Sequence, residues 1–133
     1  MTTEFINPPT AFNPTPRGYS HVVKITRPQA LYFVSGAAAV DHDMQVLHVG
    51  DVEAQTRVVF QHAAEELEAA GATLADVVDM TIYVADTADQ WKIRAVRNEF
   101  WPADRLPSST MIAVKGFCIE GMLIEIDFIA ATS

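Results

Sequence analysis

The sequence predicts an α+β domain in which two helices cover one face of a mixed β-sheet. Two segments, residues 51–71 and 87–101, repeat apolar residues at spacings of three and four, as amphipathic helices do. The segments around them are short apolar or alternating runs typical of strands. The element order is therefore β-β-(β)-α-β-α-β-β, where the parentheses mark a short strand at residues 46–49. Two helices cannot cover both faces of such a sheet, so we expect the other face to contact a partner subunit.

Length and composition limit the classes of protein that the chain can represent. Its 133 residues suit one compact domain, and half of them are hydrophobic. The net charge of −8 disfavours a nucleic-acid partner, because a polyanion would be repelled. No apolar run approaches the ~20 residues needed to span a bilayer, and the first residues do not resemble a secretory signal. The single cysteine, Cys118, cannot form an internal disulfide, which fits a reducing compartment. From these features together we expect a cytoplasmic protein without a membrane partner.

The chain begins with a proline-rich segment. Four prolines among the first 18 residues remove backbone donors, which predicts an extended arm over residues 1–18 and a single domain over residues 19–133. The domain opens with two strand-like runs, Tyr19–Ile25 and Ala30–Val40, joined by a short turn. In the second run, Gly36 and the three alanines after it would let a ligand or another backbone approach closely.

The first helical segment has suitable residues at both ends. Asp51 suits an N-cap, and Gly71 suits a C-terminal cap. The strand that follows, at residues 76–86, alternates in polarity and places four apolar side chains on one face: Val78, Met80, Ile82 and Val84.

The second helical segment starts at Thr87 and is stopped by Pro102. Its first residues, Thr87–Gln90, have the form of a capping box. Two further strands follow, at residues 109–115 and 122–130. The helical segment also carries Arg94 and Arg97 three residues apart, a spacing that is typical of a solvated helix face.

Two carboxylates share one face of the last predicted strand. Alternation places Glu125 and Asp127 together, and this pattern fits either a solvated face or an acid that takes part in chemistry. No cluster has metal-ligand spacing, since the adjacent residues Asp41-His42-Asp43 would point apart at a hairpin tip.

Six stretches together resemble the RidA/YjgF family. They occur in the family's order between residues 19 and 130, and they are YSHVVKI, LYFVSGAAAV, DVEAQTRVVF, LEAAGATLADVVDMTIYVAD, PSSTMIAV and LIEIDFIA. The resemblance implies a chorismate-mutase-like fold and a homotrimer with small-molecule clefts between its subunits. It also implies hydrolysis of reactive imines or enamines to keto acids and ammonia, with no metal or organic cofactor.

Individual site residues can be transferred from the resemblance. Ser35 and Gly36 match the family's SG motif, and Tyr19 matches the tyrosine that enters the first strand. Glu125 matches the glutamate that positions water, which leaves Asp127 with a structural role. From the residues alone, Ser35 is a polar ligand contact rather than a nucleophile, and Gly36 is either a close-approach site for a ligand or only a bulge. Tyr19 is equally explained as a packing residue.

The chain departs from the family at one binding position. Imine deaminases carry an arginine that binds the substrate carboxylate where this chain has Ser109. A charge-assisted hydrogen bond contributes about 1.5–3 kcal/mol, roughly 10- to 100-fold in affinity, and a serine cannot replace it. Arg94 is the preferred substitute cation, with Arg105 and Lys115 as weaker candidates.

The leading hypothesis is therefore a RidA-like hydrolase or deaminase of an imine, enamine or related conjugated amine, with water oriented by Glu125. Because Ser109 replaces the arginine, its substrate is expected to differ from the usual amino-acid-derived imines. The alternative is a non-catalytic trimer that binds a small molecule in the same clefts. A ribonuclease, an activity also attributed to the family, is disfavoured by the acidic charge and the lack of a paired acid–base histidine.

Overall fold

The computed structural model describes all 133 residues of the chain. Its strands are β1 (Thr2–Ile6), β2 (Val22–Thr26), β3 (Ala30–Ala38), β4 (Val77–Val84), β5 (Ser108–Ala113) and β6 (Ile124–Thr132). Its helices are α1 (Val52–Ala70) and α2 (Gln90–Arg97), and short 3-10 turns lie at Thr15–Arg17, Leu74–Asp76 and Thr87–Asp89. Neither α-helix combines the length and apolar character that crossing a membrane would require.

The strands form a main sheet and a small one. In the main sheet the strand order is β3-β6-β4-β5, with β4 and β5 parallel and the other neighbours antiparallel. Helix α1 packs against β3 and β6, and α2 packs beside α1. This mixed sheet with two helices confirms the α+β class that the sequence predicts.

The first 18 residues contain more regular structure than the proline-rich arm that the sequence predicts. Thr2–Ile6 forms β1, which pairs antiparallel with β2 in the small sheet. The strand ends before the first proline, Pro8, so no missing donor interrupts the pairing. The turn after β2 contains Arg27, with a φ of 54°, followed by Pro28. It leads the chain into the main sheet, so β2 and β3 are not neighbours.

The short third strand and the start of α2 also differ from the prediction. The expected strand at residues 46–49 is reduced to one bridge between Val40 and Val46. Ahead of α2, Asp86 accepts a hydrogen bond from the Ala88 amide at 2.9 Å, so Asp86 caps the 3-10 turn and the predicted Thr87 capping box is not formed. Asp86 lies one residue earlier and caps the amide of the second residue of the turn, so the threonine is not needed as a cap.

The core lies between the main sheet and the helices. Helix α1 begins and ends as predicted, because Asp51 accepts from the Ala54 amide at 3.0 Å and Gly71 adopts a φ of 93°. Strand β6 alternates along its length and buries Ile124, Ile126, Phe128 and Ala130 against the helices. The residues between them, including Glu125 and Asp127, therefore point to the opposite face.

We call the sheet face away from the helices the open face. Strand register places these side chains on it: Leu31, Phe33, Tyr83, Ile112, Glu125, Asp127 and Ile129. Phe33 is 76% exposed there, and Leu31 and Ile112 are exposed as well. Apolar side chains on this face thus surround a polar centre that contains both carboxylates of β6.

Candidate functional site

Glu125 lies in a cleft on the open face. The cleft has a volume of about 270 Å³ and is lined by Gly36, Tyr83, Glu125 and Asp127 from the sheet and by Gly116, Phe117 and Cys118 from the loop after β5. We call it the Glu125 cleft. It contains two carboxylates and no basic side chain. The Glu125 carboxylate makes no hydrogen bond or ion pair within the chain, which leaves it free to bind water or a ligand.

Gly36 makes room for the Glu125 side chain. A Cβ atom at position 36 would lie 2.9 Å from Cδ and 3.0 Å from Cγ of Glu125, and closer still to its Oε1. The register between β3 and β6 also shifts between Val34 and Ala37, so Gly36 lies in a β-bulge. The sequence leaves open whether Gly36 is a close-approach site for a ligand or only a bulge. The structure shows the bulge, and the group that approaches the Gly36 backbone is the chain's own carboxylate. Ser35, in the same bulge, is exposed.

Asp127 has a hydrogen-bond partner, unlike Glu125. The Tyr83 hydroxyl donates to Asp127 Oδ2 at 3.3 Å. The charge of Asp127, followed by desolvation, raises the pKa of Tyr83 above its usual value. The two carboxylates that periodicity alone cannot separate therefore differ in their surroundings.

A second pocket lies on the other side of the main sheet. It has a volume of about 180 Å³, and we call it the arginine pocket; its polar lining consists of Arg17, Tyr19, Gln90, Arg94, Arg97 and Ser109. Ser109 pairs with Met80, which is buried beneath the helices, whereas Glu125 pairs with Tyr83 on the open face. The predicted site residues thus fall into two groups. Tyr19, Arg94 and Ser109 meet in the arginine pocket, and Gly36 and Glu125 meet in the Glu125 cleft. Ser35 lies beside Gly36 on the edge strand β3 but does not line that cleft.

Arg97 is a site residue, although its spacing from Arg94 predicts a solvated helix face. It is only 2% exposed, and Arg94 is 7% exposed, so that prediction is wrong for both. Arg97 Nη1 donates to Ser109 Oγ at 3.1 Å, at the position where the family resemblance implies an arginine. The signal was present in the sequence, because position 97 follows Ile93 by four residues and precedes Phe100 by three, on the apolar stripe of the helix.

One backbone carbonyl holds both guanidinium groups in place. The Arg17 carbonyl oxygen accepts from Arg94 Nε at 2.6 Å and from Arg97 Nη2 at 2.5 Å. The carbonyl ends the 3-10 turn Thr15–Arg17, and Gly18 follows with a φ of 79°. A Cβ atom on Gly18 would lie 2.7 Å from Arg97 Nη2, so the N-terminal segment packs directly on the guanidinium.

Neither buried arginine has an acidic partner. The ion pairs of the structure are Lys24 with Glu4 and Arg57 with Glu99, both on the surface. Burial, followed by the charge of Arg94, lowers the pKa of Arg97 to about 10. Burial also lowers the pKa of Arg94, with the charge of Arg17 as the next cause. Arg94 Nη1 and Arg97 Nε have no hydrogen-bond partner at all.

The remaining candidates lie outside both pockets or have other contacts. Arg105 and Lys115, the weaker substitutes for the missing arginine, line neither pocket, and Arg105 lies 5.5 Å from the ring centroid of Phe5. Cys118 is exposed in the Glu125 cleft. No three His, Cys, Asp or Glu side chains are grouped so that they could hold a metal ion.

The sequence matches one family model and is similar to a named deaminase. The sequence model of the family described as endoribonuclease L-PSP matches residues 10–132. The 3-aminoacrylate deaminase RutC of Acinetobacter baylyi is 35% identical over 116 residues, which cover 87% of this chain and 90% of RutC.

Two solved structures of Rid-family and YjgF-family proteins are also similar to this chain. YyfB from Yersinia pestis, a Rid-family protein of unknown function, has a TM-score of 0.89 and 30% identity, and the match covers 98% of this chain and 99% of YyfB. A YjgF-family protein of Mycobacterium tuberculosis has a TM-score of 0.67 and 29% identity, with 98% of this chain and 100% of that protein covered. The chain therefore belongs to the RidA/YjgF family, whose sequence model is described as endoribonuclease L-PSP.

Proposed function

We propose that the chain hydrolyses an imine, enamine or related conjugated amine to a carbonyl compound and ammonia, with the Glu125 carboxylate orienting the attacking water. The observation that carries this proposal is the unpartnered Glu125 carboxylate in a cleft, beside the backbone of Gly36. A carboxylate without an internal partner can accept a hydrogen bond from water. The relative RutC is named for deaminating 3-aminoacrylate, a conjugated amine, which supports this class of substrate.

The reaction requires little more than a positioned water and a base. An enamine first becomes the imine by the shift of a proton from nitrogen to carbon. Water then adds to the carbon of the protonated C=N bond, and the carboxylate accepts the proton that the water loses. The carboxylic acid returns this proton to the nitrogen, the C–N bond breaks as the C=O bond forms, and ammonia leaves. The carboxylate then takes up the proton of the hydroxyl group and passes it to solvent. One water is consumed, and no electrons are transferred to or from another molecule. A positioned general base typically contributes 10²- to 10⁴-fold to the rate of such a step.

We further propose that the working site is completed by a second copy of the chain, in the homotrimer that the family resemblance implies. The Glu125 cleft contains two acidic side chains and no basic one, so by itself it would repel an acidic substrate. The arginine pocket has the opposite charge but lies on the other side of the main sheet. A neighbouring subunit that places its arginine pocket against the Glu125 cleft would bring the two halves together.

The open face is suited to such a contact. Phe33 and Leu31 are exposed on β3, and Phe33 is paired with Ile129 of β6. Exposed apolar side chains grouped on one sheet face are typical of an interface with another chain. This supports burial of the open face in an oligomer, with Glu125 and Asp127 at the polar centre of that face.

The catalytic proposal is tested by comparing the two carboxylates of β6. The imine 2-iminobutyrate and the enamine 3-aminoacrylate would each be generated in situ, and the release of carbonyl product would be followed. We expect Glu125→Gln to lower kcat by 10²-fold or more, because the amide cannot accept the proton. Asp127→Asn, a matched change two residues away, should retain kcat within a few-fold. Equal rates for wild type and Glu125→Gln, both above the spontaneous rate, would reject the assigned role.

The family is described as an endoribonuclease, but the residues of the two pockets do not favour RNA cleavage by this chain. Neither the Glu125 cleft nor the arginine pocket contains a histidine. His21 and His62 instead bond to the carbonyl oxygens of Phe12 and Ala38. Without a histidine in either pocket, we retain hydrolysis of a conjugated amine as the proposed activity.

A further inference from the structure

The arginine pocket holds two buried positive charges that no acidic group balances. Arg94 and Arg97 are both more than nine-tenths buried, and no carboxylate lines the pocket around them. A third arginine, the exposed Arg17, lies at the same pocket. Buried charges in proteins are normally paired, because taking an ion out of water without a partner is costly.

The contacts within the chain satisfy these groups only in part. Three guanidinium nitrogens bond to the Arg17 carbonyl and the Ser109 hydroxyl, which carry partial charges and no formal one. The Arg94 guanidinium also stacks on the Trp91 ring, 4.0 Å from its centroid, which offsets part of its charge. Arg94 Nη1 and Arg97 Nε are nevertheless buried without a hydrogen-bond partner. Burial is the main cause of the lowered pKa of both side chains, and the charge of a neighbouring arginine is the next cause.

We propose that the arginine pocket binds a compact dianionic group of the ligand, either two neighbouring carboxylates or one phosphoryl group, through the guanidinium groups of Arg94 and Arg97. Two buried charges call for two negative charges, since a monoanion would leave one cation uncompensated where water is largely excluded. The assignment of this group to the substrate rests on the proposed function; the binding of an anion does not.

Pocket size limits what can enter. At about 180 Å³, the arginine pocket is smaller than the roughly 300–1,000 Å³ typical of sites that enclose a whole ligand. It has room for a small charged group, and the rest of the ligand must lie outside. In the proposed oligomer, that remainder would extend toward Glu125 of a neighbouring copy.

The proposal also accounts for the serine at position 109. A serine on β5 leaves space for the Arg97 side chain, which enters from α2 and bonds to the serine hydroxyl. The positive charge is thereby supplied by a helix, together with a second charge from Arg94. The ligand would then carry more negative charge than one that a single arginine binds.

The test measures anion binding to the purified protein by calorimetry and by the thermal unfolding midpoint. Acetate, malonate and inorganic phosphate would be compared at constant ionic strength and pH 7.5, where malonate and most of the phosphate carry two charges. We expect malonate or phosphate to bind at least tenfold more tightly than acetate and to raise the midpoint. The tighter of the two identifies the group as a dicarboxylate or a phosphoryl group.

Variants show whether the effect belongs to the pocket. Arg97→Gln and the less buried Arg94→Gln should each weaken binding of the preferred dianion by 10- to 100-fold. Arg57→Gln, which removes an equal charge from an exposed helix position, should bind the dianion like wild type. If Arg97→Gln does not fold, Arg94→Gln and the wild-type anion series still decide the question.

Several results would overturn the inference. These are equal binding of acetate and malonate, no binding of any anion, or a rise in midpoint that persists unchanged in both pocket variants, as a general salt effect would. In those cases the arginines serve only to hold the N-terminal turn. Turnover of an imine without dianion binding would reject this inference and keep the proposed function. Dianion binding without turnover of any conjugated amine would reject the proposed function and keep this inference.

Discussion

Replacing Gly36 with alanine should remove most of the activity while leaving the fold almost intact. The added Cβ would lie 2.9 Å from Glu125 Cδ and nearer to Oε1, whereas ordinary contacts begin at 3.4 Å. The carboxylate must therefore move by about 1 Å to restore an ordinary separation. Because the displaced atoms are at the end of a flexible side chain, the movement should cost about 0.5–1.5 kcal/mol of stability. A 1 Å displacement of a catalytic group can lower kcat by about 10²-fold.

The assay follows the release of carbonyl product from an imine generated in situ, together with the thermal unfolding midpoint of each variant. Gly116→Ala is the matched control, because Gly116 lines the same cleft and its added Cβ would meet no atom within 4 Å. We expect the control to retain the wild-type unfolding midpoint and to lose much less kcat than Gly36→Ala, because its methyl group does not displace the Glu125 carboxylate. Wild-type activity in Gly36→Ala would refute the reasoning, since it would mean that the position of the Glu125 carboxylate does not matter.

Three other changes test separate features of the structure. Gly18→Ala should destabilise the protein by about 1–3 kcal/mol more than Gly71→Ala in denaturant unfolding, because both have left-handed φ but only Gly18 packs on a guanidinium; equal losses would contradict this packing. Asp127→Asn should lower the pKa of Tyr83 toward its usual value in a phenolate absorbance titration, since the lost charge is the main cause of the raised pKa; an unchanged titration would remove that cause. Phe33→Asp should shift the protein to monomers in light scattering at a concentration where wild type is associated, and an unchanged mass would argue against the open face as the interface.

Elements with strong local patterns could be predicted from the sequence. The apolar stripe of α1 and its terminal residues Asp51 and Gly71 depend on neighbours three or four residues away, and the structure has the helix between those two residues. Strand pairing depends on residues far apart in the chain. The prolines that follow β1 predict an arm without regular pairing, so the sequence does not indicate the pairing of Thr2–Ile6 with Val22–Thr26.

The candidate site likewise contains features that a local pattern predicts and contacts that it does not. Alternation placed Glu125 and Asp127 on one face, but their different partners could be seen only in three dimensions, where Tyr83 reaches Asp127. The charge of Arg97 predicts an exposed position, but Arg97 lies on the apolar stripe of α2 and is buried. The carbonyl of Arg17 that holds it lies 80 residues away in sequence, and no local pattern indicates such a contact.

The location of the Glu125 cleft and the arginine pocket on opposite sides of one sheet has a genetic consequence. If a working site takes its carboxylate from one subunit and its guanidinium groups from the next, a chain altered at Glu125 still offers an intact arginine pocket. A chain altered at Arg97 likewise still offers an intact carboxylate. Two inactive alleles would then complement each other in one cell, because mixed assemblies contain some sites in which both halves are wild type. Placing both changes in the same chain, alongside a wild-type copy, would instead reduce the activity of the wild-type subunits by pairing them with defective halves.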